Sequence, residues 1–188
     1  MDSKECSDDP LFVELVQALH EINPSANSAY YLGLLKDKAG DSKSALSYYE
    51  ESLTLEVDNY KKASILYKIA VKFKTRGLKT KSRQYARKAL KFQPSMGKAY
   101  LLIANLYASS ANDCGETQFE KRSIYWLAAQ QARKAANVDP STKKTALSMA
   151  KSYEGRAPTR TDIFTEGKEG QIIIFSCWIK DKITVPKL

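Results

Sequence analysis

Few residues in this 188-residue chain could do covalent, acid–base or metal chemistry. One histidine, His20, and three cysteines, Cys6, Cys114 and Cys177, are the whole set of soft ligands and neutral-pH titrants. There is no CxxC, and His20 has no cysteine or second histidine at ligand spacing, so the pattern indicates no metal site. The three widely spaced cysteines read as free or buried thiols, with one bridged pair as the alternative. Cys114 stands beside Asp113 and Glu116, whose negative charge disfavours a thiolate and makes it a poor nucleophile. The carboxylate pairs Asp8–Asp9 and Glu50–Glu51 have no acid or base partner in sight. His20 falls near the end of an amphipathic segment, where a cation suits a helix C-terminus. No phosphate loop, GxSxG, HExxH or GxGxxG occurs. The chemistry-bearing residues therefore predict a protein without catalytic residues, metal or cofactor.

What the chain has in quantity is charge, and it is segregated. Residues 1 to 58 carry four basic and twelve acidic side chains, net −8. Residues 61 to 98 carry thirteen basic side chains and no acid, and no acid occurs between Asp58 and Asp113. Six of those cations, Lys79, Lys81, Arg83, Arg87, Lys88 and Lys91, surround the core slots Ser82, Ala86, Ala89 and Leu90 of one helical segment. They read as a solvated convex face, or as an attractive surface for an anionic partner. Nucleic acid is one such partner, but aromatic residues are not interleaved there for base stacking. An acidic protein or an anionic lipid surface fits the charge equally well. The acidic first third of one copy and the basic middle of another could also meet in a salt-sensitive, head-to-tail self-association.

The elements that position these charges show an internal period. A small residue recurs at Gly33, Ala70 and Ala104, in steps of 37 and 34 residues. Around it recur Leu32, Ile69 and Ile103, then Gly40 and Gly77, then the small residues Ala45, Ser82 and Ala128. Pro24, Pro94 and Pro140 recur at segment ends. Small residues let paired helices approach and large ones fill the space beside them. A glycine in left-handed conformation caps a helix, and a proline ends one.

These residues resemble the tetratricopeptide repeat (TPR) family, over roughly residues 10 to 154. The resemblance implies an all-α, right-handed solenoid of helix pairs. Its parts are an N-terminal helix (half repeat) in 1–25, repeats in 26–59, 63–96 and 97–140, the third with an inserted loop around Ala111 to Lys121, and a final helix in 141–154. It also implies a concave groove lined by the first helix of each pair. The groove slots are Tyr30 and Leu34, then Tyr67, Val71 and Lys74, then Leu101 and Asn105, then Leu147 and Lys151. Some members hold a peptide carboxylate with a Lys/Asn/Arg clamp at such slots. Tyr30 and Leu34 do not reproduce it, and Lys98 with Asn105 does not rebuild it.

Residues 155–188 change character. Gln171 to Ile179 is rich in strand formers and Ile183–Val185 is a second such run. The expectation is a small β-hairpin turning at Lys180–Asp181 and packed on the last helices, with Asp162–Phe164 as a third strand. Trp178 reads as a core anchor. Phe164, Gly170 and Cys177–Trp178–Ile179 are similar to the tail of bacterial exported repeat proteins. With Met1–Lys4 read as what replaces a removed signal peptide, this favours a bacterial periplasmic or exported home over a cytoplasmic one. No stretch reaches the roughly 18 apolar residues of a membrane span. The function expected is a scaffold binding a protein or peptide segment in the groove, with nucleic-acid or anionic-polymer binding by the basic second repeat as the alternative.

Overall fold

A computed structural model describes residues 10–188. Cys6, the pair Asp8–Asp9 and the start of the N-terminal half repeat lie outside the described residues. The chain forms two compact units, one running to Ile69 and one from Ala70 to Leu188. Among the described residues there are nine helices followed by two short strands. The chain is all-α with a small C-terminal sheet.

The first unit holds α1 (Pro10–Ile22), α2 (Ala26–Lys38), α3 (Ser42–Leu55) and the start of α4 (Asn59–Thr75). Ser25 caps α2 in a reciprocal box with Ser28, satisfying amides that a helix start leaves without intrahelical partners. Gly40, at φ 83°, turns the chain from α2 into α3, in a conformation that only glycine adopts cheaply. The two helices close on Gly33, because a methyl there would come within 2.6 Å of the Tyr49 ring. Ala29, Leu32, Ala45 and Tyr49 bury around that contact, and Ser52 Oγ donates to Ala26 O at 2.6 Å. The helix α1 docks through Val16, which is buried, and through Phe12, edge-on to Tyr31 at 5.7 Å. His20 sits in its last turn and pairs with Glu51 at 3.2 Å.

The second unit continues α4 and adds α5 (Lys79–Phe92), α6 (Gly97–Ala108), α7 (Gln118–Val138), α8 (Lys143–Glu154) and α9 (Arg160–Thr165). Gly77, at φ 73°, makes the turn from α4 to α5. Phe73 meets Tyr85 at 5.2 Å, and Ser82 Oγ donates to Ala70 O at 2.7 Å. Ala104, Ala128, Ala132, Ala135, Ala146 and Ala150 are all buried, so small side chains let successive helices pack closely. The extra residues of the third repeat divide between a loop after Ala108 and a longer α7 of 21 residues.

The tail departs from expectation in three places. Asp162–Phe164 is helical, not a strand. Thr159 and Asp162 form a capping box that starts α9, and Arg122 fixes it through Asp162 at 2.9 Å and the Ala157 carbonyl at 2.7 Å. The first strand is shorter than the apolar run: β1 (Ile172–Phe175) pairs antiparallel with β2 (Asp181–Thr184), Ile173 opposite Ile183. Ser176 to Ile179 instead form the turn that carries Trp178 back onto the helices. The reading of free thiols is also corrected: Cys114 and Cys177 are disulfide-bonded across 63 residues. The bond ties the inserted loop to the hairpin turn, two segments that no sequence period relates.

Candidate functional site

The groove slots follow from helix spacing, since residues four apart share a face. In the first unit Tyr30 and Leu34 lie on α2 and Tyr67 on α4, all half-buried. The Tyr30 ring lies tilted against Tyr49 with centroids 5.8 Å apart, and the Lys68 ammonium stands 5.0 Å over it. Burial, with the neighbouring Tyr31 phenol adding, pushes the Tyr30 hydroxyl up to about 12. Burial also raises Tyr67. Both phenols are therefore neutral at physiological pH and act as amphipathic contact surface.

In the second unit Val71 is half-buried and Lys74 exposed on α4. Leu101 and Asn105 lie on α6, and Leu147 and Lys151 on α8. The ends of α6 and α8 enclose a cleft of about 410 Å³ lined by Asn105, Ala108, Ser109, Met149, Ser152, Tyr153 and Arg156. The Tyr153 hydroxyl donates to Asn105 Oδ1 at 2.9 Å, which leaves the amide nitrogen as the group Asn105 can offer a ligand. Tyr125 stacks on Tyr153, and the Arg156 guanidinium lies 5.8 Å from the Tyr125 ring. Burial raises the Tyr153 phenol, the Arg156 charge opposes it, and Tyr125 adds to it. The cleft thus joins an apolar thioether, an aromatic wall, an amide donor and one cation. That set can hold a peptide side chain and its backbone, but contains no nucleophile–base pair. Among the described residues, no group of three or more His, Cys, Asp and Glu side chains could hold a metal ion.

Of the groove slots, Asn105 is the one that lines the cleft. Met149, Ser152, Tyr153 and Arg156 are additions that the sequence reading did not include. The signal was available for the first three, which lie two to six residues after Leu147 on α8. Arg156 follows the helix end and had none.

The basic segment is not a uniform solvated face. Arg83 is 8% exposed. Its guanidinium donates to the carbonyls of Ile179 and Trp178 and to the Tyr107 hydroxyl, and it lies 5.0 Å from the Trp178 ring. Arg87 reaches the Tyr107 hydroxyl at 3.2 Å and Asp181 at 3.8 Å. Lys79 donates to the Ser109 carbonyl, Ser110 Oγ and Asp113 across the inserted loop. The tail and the loop thus use three of the six cations, because a folded hairpin turn presents carbonyls that need donors. The placement of Arg83 on an exposed convex face is corrected accordingly. Lys81, Lys88 and Lys91 remain exposed, the first two over the rings of Phe73 and Tyr85.

The helix pairs closed by glycine and alanine contacts define the class as repeated antiparallel helical hairpins. No family model matches the chain. A curated relative, the photosystem I assembly protein Ycf3 of Cyanophora paradoxa, is 32% identical over 107 residues, which cover 52% of this chain. The match spans 62% of that relative's length. That relative is a TPR protein, and the likeness to it covers about half of this chain. A solved structure, titled as the crystal structure of MamA, is 12% identical, with a TM-score of 0.44 over 84% of this chain and 90% of that one. That likeness is too slight to argue from.

Proposed function

We propose that this protein is a non-catalytic scaffold that binds an extended segment of a protein partner on the exposed faces of its first helices. The observation that carries the reading is the α6/α8 cleft, where Asn105, Met149, Tyr153 and Arg156 converge. Leu101 and Leu147 supply apolar contact, and Lys151 and Arg156 favour an acidic residue in the segment. The first unit contributes a second, tyrosine-based face at Tyr30, Leu34 and Tyr67. Further support comes from the likeness, over about half of this chain, to a photosystem I assembly protein. The three cations already engaged inside the second unit leave the nucleic-acid alternative with a reduced patch.

The test is selection of binding segments from a displayed library of unstructured peptides. Selected segments should lose affinity tenfold or more when Leu147 is changed to Glu or Asn105 to Ala. They should be little affected by Lys81→Glu, Lys88→Glu and Lys91→Glu together. The opposite pattern would move the binding surface to α5 and overturn the reading.

A further inference from the structure

The apolar residues of α1 form one wide arc, and only part of that arc is covered. Val16 and Phe12 face α2. Directly beside them Leu11, Leu15, Leu19 and Ile22 recur at intervals of four, four and three residues. They are 70%, 53%, 52% and 82% exposed. At 100° per residue the four project within one narrow stripe, some 16 Å long at 1.5 Å per residue. Scattered leucines on a surface need no explanation, but four in line on a single helix do.

Charge points to the covering partner. Glu14 and Glu21, both exposed, lie seven residues apart along one edge of the stripe. From residue 10 to residue 58 the chain carries eight acids and three bases. A second copy of α1 would bring the same acidic edge against this one, and like charges across an interface are unfavourable. An acidic helix or an anionic membrane is disfavoured for the same reason.

We propose that α1 is a second docking surface, and that its occupant is an amphipathic helix of a partner protein with an apolar stripe and a basic flank. The partner helix lies along Leu11, Leu15, Leu19 and Ile22 and places a Lys or Arg beside Glu14 and Glu21. It needs about three turns to cover the stripe. Helix-in-groove recognition of this kind reads apolar anchors at i, i+4, i+7 and i+11. The surface belongs to the first unit and is independent of the α6/α8 cleft.

The probe is a synthetic helical peptide of fourteen residues, with leucines at those four spacings and lysines flanking them. Its control has glutamates in place of the lysines. Binding to the full chain is followed by fluorescence anisotropy at low ionic strength. The lysine peptide should bind, and the glutamate peptide should bind at least tenfold more weakly. The double variant Leu15→Glu, Leu19→Glu should lose about 100-fold, the effect of two buried leucines at roughly 1.5 kcal/mol or more each. The surface variant Glu14→Lys, Glu21→Lys should weaken the lysine peptide and strengthen its control, which keeps the test open if the leucine variant misfolds. Leu147→Glu should change neither peptide, so failure here and failure of the cleft reading are separable. Three results would overturn the proposal: no binding by the lysine peptide, equal binding of both peptides, or a wild-type dimer that Leu15→Glu, Leu19→Glu dissociates.

Discussion

Breaking the Cys114–Cys177 bond tests whether the tail is held by the cross-link or by its contacts. The bond closes a loop of 63 residues. In the chain-entropy account, a closed loop of that length removes about 14 cal/mol/K from the unfolded chain, or about 4 kcal/mol at 25 °C. The folded state keeps other reasons to hold the turn. Arg83 bonds to two of its carbonyls, Trp178 Nε1 donates to Ser110 Oγ at 3.1 Å, and Ile179 and Val185 are 1% exposed. The cross-link therefore acts mainly on the unfolded chain, and the reduced protein should remain folded in water. The assay is urea unfolding of the oxidised protein, the reduced protein and the Cys114→Ala, Cys177→Ala variant. Alanine is chosen because Cys114 is 1% exposed, and a serine there would add the cost of burying a hydroxyl. With a slope of about 2 kcal/mol/M, the transition of the second unit should fall by roughly 2 M urea, and reduction and substitution should agree to within about 1 kcal/mol. Native near-UV signal from Trp178 should persist without urea. A fall equivalent to less than about 1 kcal/mol would refute the reasoning, and so would loss of the tail's tertiary signal in water on reduction.

Three further outcomes follow from particular contacts. Gly33→Ala should destabilise the first unit by about 1–2 kcal/mol in thermal or urea melts, because the new methyl, 2.6 Å from the buried Tyr49 ring, costs more than the helix propensity it adds. Arg83→Met should cost about 3 kcal/mol by leaving the Ile179 and Trp178 carbonyls without their donor, and Arg83→Lys should recover only part of it, since an ammonium lacks the planar fork. Asp139 is held below its ordinary value by hydrogen bonds from Ser141, with the Gly97 and Thr142 amides adding, and desolvation opposes them. Its folded pKa is depressed, so its contribution is present above the unfolded value of 3.8 and lost as pH falls through the folded one. Carboxyl-carbon NMR should place its midpoint below 3.8, and Asp139→Asn should destabilise at pH 7 but not at pH 2.

What was legible in the sequence was periodic. Gly33, Ala70 and Ala104 announced close helix approach because a small residue at a fixed step has one economical use in a helical array. Gly40 and Gly77 announced turns, and both adopt positive φ. The residues proposed for the groove were read from the same period, and each of them is at least partly exposed. The rest depends on single contacts between distant segments, which have no period. Asp162–Phe164 carries a strand-like apolar pair, but Thr159 three residues before Asp162 is a helix start, and that local signal was outweighed by the apolar run beyond it. Cys114 and Cys177 gave no hint of pairing, since an odd count of three allows any pair or none. Arg83 shows the physical reason most clearly. It shares one side of α5 with Lys79 and Arg87, four residues before and after it, and a reading of the basic segment as one block places all three in solvent. What buries it is a turn some 95 residues later in the chain, whose carbonyls need donors and whose tryptophan offers a ring to a cation. An arginine among lysines in a basic helix is therefore informative where the chain ends in a short apolar hairpin. The guanidinium is less strongly hydrated than an ammonium and its fork can serve two carbonyls at once, so it is the cation that such a tail would select as its dock.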